Sequence, residues 1–142
     1  MFQRIKIDWR GMLLMLLVLV AVTALVSCGP PPPPSVDAVT MSTAVDSSFK
    51  ASSPTTTFKP SDKFFASTQV SNLIVGSKVD SRWYFNGTEI TEGRSSITSD
   101  KAGSGYLSFT LSMASGFPVG DYKVEIYLDG KLVNTTSFSV AN

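Results

Sequence analysis

The most reactive side chain in this sequence stands alone. Cys28 is the only cysteine among 142 residues, and there is no histidine. A thiol is the strong, soft nucleophile that thioether formation needs. One cysteine excludes an intrachain disulfide and any CxxC metal or redox site. The lack of histidine excludes Ser-His-Asp and Cys-His catalysis and His-containing zinc sites. The carboxylates Asp62, Asp80, Glu89, Glu92, Asp100, Asp121, Glu125 and Asp129 are scattered. A glycosidase needs two carboxylates facing one cleft, and no spacing here implies such a pair. Calcium needs several converging oxygens. Asp121 and Asp129 fall at opposite ends of one expected strand, so they cannot share an ion. Asp100 could join a site only in the Ser99–Ser104 loop, and Asp129 reads as a turn former. No catalytic, cofactor or metal residue is expected, so the protein is not expected to be an enzyme. A net charge of +1 gives no reason to expect nucleic acid.

That average charge hides two regions. Residues 1–27 carry Arg4, Lys6 and Arg10 against Asp8, whereas the other 115 hold nine basic and ten acidic groups. Residues 1–10 form a positive n-region, and residues 12–22 form an apolar run of Met, Leu, Val and Ala. This pattern describes a secretory signal peptide with a short signal helix. Leu25-Val26-Ser27-Cys28, followed by Gly29, resembles the bacterial lipobox. The resemblance implies cleavage after Ser27 and acylation of Cys28, on sulfur and then on the new amine. Two or three acyl chains anchor stably where one does not. The alternative is an uncleaved membrane anchor, but the apolar run is shorter than the ~20 residues of a comfortable span. Gly29 departs from the Asp that usually retains such proteins in the inner membrane. An outer-membrane destination is therefore open in a two-membrane cell, and the outer face of the cytoplasmic membrane otherwise.

Residues 30–34 are five consecutive prolines. Such a run adopts polyproline II at ~3.1 Å per residue and spaces the domain ~15 Å from the lipid. A ligand for an SH3- or WW-type groove is the other use of such a run. Residues 28–35 therefore read as a lipidated cysteine and spacer. The region 42–61, rich in Ser, Thr and Lys around Phe49 and Phe58, reads as a long loop or irregular hairpin.

From Val36 onward the periodicity is that of strands, with no sustained helical segment. Val39, Met41 and Val45 share one face of a first strand. Phe64, Ala66, Thr68 and Val70 alternate through a second. Val79, Ser81, Trp83 and Phe85 face inward, Asp80, Arg82, Tyr84 and Asn86 outward, and Asn86-Gly87 signals a turn. Leu107, Phe109, Leu111 and Met113 point in, after a turn at Gly103-Ser104-Gly105. Tyr122, Val124, Ile126 and Leu128 lead to the Asp129-Gly130 turn, and Leu132, Thr136, Phe138 and Val140 return. Short strands with turns every 8–12 residues predict one all-β sandwich over residues 36–142.

Lys78–Gly87 resembles strand C of an immunoglobulin-like fold, with Trp83 as the core tryptophan. Phe117–Val124 resembles the start of strand F. The resemblance implies that Tyr122 is a tyrosine-corner residue bonded back to upstream backbone. Both disulfide cysteines of antibody domains are absent, so packing alone must hold the core. A fibronectin type III-like variant stays open.

In that fold strands C and F are neighbours, which places Arg82 and Tyr84 beside Glu125 and Tyr127 on the outward face. Two tyrosines with a charge pair suit a protein partner or a glycan. Ordinary cross-strand pairing is the plainer use of the same residues. The expected function is a lipid-anchored envelope module that binds a protein or serves as a structural accessory. An envelope carbohydrate-binding module is the alternative.

Overall fold

The structure is a computed structural model that describes residues 29–142; the expected signal segment 1–27 and Cys28 lie outside the described residues. The sandwich itself begins at Pro33. Its strands are β1 (Ser35–Val36), β2 (Thr40–Ser42), β3 (Thr57–Phe58), β4 (Phe64–Leu73), β5 (Lys78–Phe85), β6 (Thr88–Thr98), β7 (Gly103–Leu111), β8 (Gly120–Leu128) and β9 (Lys131–Val140). In the first sheet β7 lines one side of β4, while β1 and β2 share the other. The second sheet runs β3-β9-β8-β5-β6. All pairs are antiparallel except β3 with β9.

Period-two alternation builds these sheets. Phe64, Ala66, Thr68 and Val70 of β4 are buried, as are Val79, Ser81 and Trp83 of β5 and Val124 and Ile126 of β8. Side chains on alternate residues leave by opposite faces, so each strand gives one face to the space between the sheets. Phe58, Phe64, Phe109, Phe117 and Phe138 are buried in one core cluster with Trp83, whose ring lies 6.5 Å from that of Phe64 and 6.1 Å from that of Phe138. Phe64 stacks on Phe117 at 3.9 Å between ring centres and meets Phe58 at 4.8 Å. Each such fully buried side chain contributes roughly 1.5–3 kcal/mol relative to exposure. The Tyr122 hydroxyl donates to the Pro118 carbonyl at 2.8 Å, which forms the expected tyrosine corner.

Turn chemistry sets the register. Asn86 and Gly87 have φ of 46° and 82°, and Asp129 and Gly130 have 50° and 82°. Two consecutive positive values define the type I′ turn whose twist matches a hairpin. β6 follows β5 and stays in the same sheet, as the added strands of variable-type immunoglobulin domains do.

Several local expectations are corrected. The first strand stops at Ser42, where the Ser42 hydroxyl accepts hydrogen bonds from the Ala44 and Ser53 amides and turns the chain. Val45 therefore leaves the strand and makes only a bridge to Ala51. Residues 42–61 do form an irregular hairpin, but they end in β3, which buries Phe58. Gly103, Ser104 and Gly105 belong to β7 rather than to a turn. Met113 lies beyond the end of β7 and is exposed. Leu132 is also exposed. The register shifts between Ile126 and Tyr127, so Leu132 pairs with Tyr127 and Asn134 with Ile126. The extra residue, Val133, reverses the alternation before Thr136.

A second bulge shapes the free edge. Ser81 pairs with Ser95 and Trp83 with Ile90, so four residues of β6 stand opposite Arg82 alone. Gly93 dips inward there, and a Cβ on it would lie 2.8 Å from Leu111 Cδ1 and 3.0 Å from Trp83 Cδ1. The bulge and the charges of Glu89, Glu92 and Arg94 blunt this edge against pairing with another chain.

Candidate functional site

β5 and β8 lie side by side with Arg82 opposite Glu125, Tyr84 opposite Lys123 and Asp80 opposite Tyr127. The pleat sends all six side chains to the outer face. The four residues expected from sequence, Arg82, Tyr84, Glu125 and Tyr127, are thus brought together. Cys28 and Ser27, expected for lipidation and cleavage, lie outside the described residues.

Glu125 is the centre of the group and is 9% exposed. It accepts a hydrogen bond from Lys123 Nζ on Oε1 and from the Tyr127 hydroxyl on Oε2, each at 2.7 Å. Burial alone would raise its pKa, but the contacts with Lys123, Tyr127 and Tyr84 outweigh burial and hold it below the ordinary value. The same hydrogen bond pushes the Tyr127 pKa up to about 12, because losing the proton would set two negative groups together. Burial first, and Glu125 second, raise the pKa of Tyr84.

The rings are occupied as well. The Arg82 guanidinium lies 4.6 Å from the Tyr127 ring centre, and Lys123 Nζ lies 4.4 Å from the Tyr84 ring centre. These are cation–π contacts, worth about 0.5–1 kcal/mol at such a surface. Both tyrosines are half-buried rather than the exposed pair that the alternation suggested. The ion pair of Glu125 is with Lys123, not with Arg82. Lys123 is therefore a member that sequence reasoning missed, although its parity with Glu125 and Tyr127 along β8 was a usable signal.

On the β6 side, Arg94 binds Glu89 through two hydrogen bonds. That contact holds Glu89 below the usual carboxylate range. Lys78 reaches Asp80 at 3.3 Å, and the Ser96 hydroxyl also bonds Asp80. Between these groups is an open hollow of about 280 Å³ lined by Lys78, Asp80, Ser81, Arg82, Arg94, Ser95 and Ser96. Arg82 makes no side-chain hydrogen bond or ion pair among the described residues, so it is the cation best placed to meet an incoming anion. The face as a whole suits charge-complementary contact. Asp100 and Asp129 join no acidic cluster, and no group of three or more metal-ligating side chains occurs among the described residues.

No family model and no curated protein match the chain. Among solved structures, the chain is similar to the CARDB domain of a Pyrococcus furiosus protein, described as a complex with di-metal ions. The identity is 16% and the TM-score 0.49, over 80% of this chain and 97% of that one. It is also similar to part of a Pseudomonas fluorescens alkylpurine DNA glycosylase, described as bound to DNA with an abasic-site analog. There the identity is 10% and the TM-score 0.46, over 77% of this chain and 30% of that one. The metal ions and the DNA belong to those proteins. By its own strand order and register, this chain carries an immunoglobulin-like β-sandwich.

Proposed function

We propose that this protein is a lipid-anchored extracytoplasmic module whose sandwich binds a protein partner of the cell envelope or serves as a structural accessory there, without catalysing a reaction. The observation that carries the anchor is the place of Cys28. The only cysteine of the chain ends the Leu25–Cys28 segment, directly after a basic start and a short apolar run. The proline run that follows is exposed through Pro33, in keeping with a spacer. Gly29 lacks the carboxylate that retains such proteins in the inner membrane, so the proposed location is the outer membrane in a two-membrane cell and the outer face of the cytoplasmic membrane otherwise.

The binding face we assign is the outer side of β5 and β8. Arg82 offers unpartnered donors beside the Lys123–Glu125 pair, the kind of charged face that a charge-complementary protein surface meets. The alternative, an envelope glycan, would stack on the tyrosine rings, but Arg82 and Lys123 already cover them. That favours a protein.

The deciding experiment is the intact mass of the protein recovered from the membrane fraction, beside a Cys28→Ala variant. The expected mass is that of residues 28–142 plus acyl chains, with processing lost in the variant. A mass that retains residues 1–27 overturns the lipoprotein reading and makes the apolar run a signal anchor.

A further inference from the structure

We propose that the end of the sandwich bearing Ile74 and Val75 rests on the lipid surface to which Cys28 is attached; the inference rests on the lipoprotein reading above. Three connections meet at that end. The Gly76 amide donates to the Ser99 carbonyl at 2.9 Å, and the Ser99 amide to the Ser77 carbonyl at 2.8 Å. The Asp129 amide donates to the Lys78 carbonyl, also at 2.8 Å. The β4–β5, β6–β7 and β8–β9 links are therefore neighbours. The chain enters the sandwich at the same end, because Ser35 pairs with Ser71 and the Asn72 side chain reaches the Pro33 carbonyl.

The side chains there do not suit water. Ile74 is 61% exposed and Val75 is 67% exposed. They occupy a turn closed by Ser77 N to the Ile74 carbonyl at 3.0 Å, with Gly76 at φ 88°. A type II turn asks for glycine at its third position and for nothing apolar before it, where proline and polar residues are usual. Local structure thus gives no reason for Ile and Val. Leu132 and Val133, just past the Asp129-Gly130 turn, are exposed too. Lys101 and Lys131 stand at these links against Asp100 and Asp129, and Lys78 pairs with Asp80, so no excess of negative charge keeps the apolar tip from a lipid surface.

Reach selects the lipid as the occupant. Gly29 to Pro34 is six residues, which span at most ~20 Å. β8 is nine residues, about 30 Å long. A tether shorter than the sandwich cannot bring its far end, with Met113 and Val119, to the bilayer while the near end points away. Gly29 is the one tether residue whose φ no proline ring fixes, so the rod can tilt there and lower the tip.

The test uses the full, lipidated chain in vesicles of phosphatidylcholine and phosphatidylglycerol. With Cys28 acylated, a cysteine introduced by Val75→Cys takes an environment-sensitive dye alone, and Ser115→Cys serves as the far-end control. The expected result is a blue-shifted dye shielded from iodide at 75 and a water-exposed dye at 115. Adding Ile74→Asp should abolish the blue shift and leave flotation with vesicles and the melting temperature unchanged. A dye at 75 that stays as accessible as the control, in protein that still floats, overturns the tip contact and leaves the anchor standing. Equal shielding at both sites also overturns it, as unspecific adsorption. Protein that fails to float, or takes dye on Cys28, sinks the anchor and the tip contact with it.

Discussion

The Tyr127 hydroxyl donates to Glu125 Oε2 at 2.7 Å, two residues away on the same face of β8. The bond couples two groups whose pKa values move apart: Glu125 goes below its ordinary value and Tyr127 rises to about 12. The chain has no histidine, the side chain whose ordinary pKa lies closest to neutrality.

The pH profile of unfolding should follow from this. Glu125 favours its charged form when folded, so its contribution is present above the ordinary carboxylate pKa and is lost as pH falls through the lower folded value. Tyr127 keeps its proton longer when folded than when unfolded, so its contribution is complete below pH 10 and declines between 10 and about 12. Denaturant melts across pH should give a plateau with falling limbs on both sides. Tyr127→Phe should weaken the alkaline limb; an unchanged limb would show that the bond does not operate in solution.

Glu125→Gln should lower stability at pH 7 by about 1 kcal/mol, since the Lys123 ammonium loses its carboxylate while a hydrogen-bonding group remains. It should also flatten the acid limb. Thermal melts of the two proteins at pH 7 and pH 4 check both parts.

Replacing Tyr84 and Tyr127 together by Ser should leave a cooperative melting transition. The two rings lie half-buried on the outer face, outside the core around Trp83. The loss should be on the order of 1–2 kcal/mol from two cation–π and cross-strand contacts. A double variant that does not fold would make this face a clamp of the sheet and end its candidacy as a partner surface.

Tyr122→Phe removes the hydroxyl that holds the Pro118 carbonyl at 2.8 Å. The expected cost is about 1 kcal/mol. Amide exchange should quicken in the 112–119 connection more than in β5. Uniform quickening would mean that the corner acts on global stability alone.

Gly93→Ala should destabilise by about 1–3 kcal/mol, because the new methyl meets Leu111 and the fully buried Trp83 at 2.8–3.0 Å. The near-ultraviolet circular dichroism of Trp83 reports the shift. An unchanged melt would show that the β6 bulge can lift away from the core.

Much of this architecture is legible residue by residue. Alternation at Phe64–Val70 and Val79–Phe85 marks the buried faces because a pleated strand offers only two sides. Asn86-Gly87 and Asp129-Gly130 mark the hairpins because few residues tolerate two successive positive φ values. The Tyr122 corner and the neighbourhood of Arg82, Tyr84, Glu125 and Tyr127 follow once strands C and F are recognised.

Other features depend on contacts distant in sequence. Leu132 reads as inward until the Val133 bulge reverses its face, and a bulge exists only relative to a partner strand. β6 carries no clean alternation, since its edge position leaves most of its side chains in water and its bulge spends four residues opposite Arg82. Lys123, and not Arg82, pairs with Glu125 because side-chain reach and the competing Tyr127 ring decide the pairing. The sequence by itself determined the lipobox-like segment around Cys28, the strand periodicity and the turns, all of which depend on neighbours along the chain. Only the tertiary structure decided which charges meet, which tyrosine faces are covered and which apolar residues remain at the end where the chain enters, because those depend on register between strands.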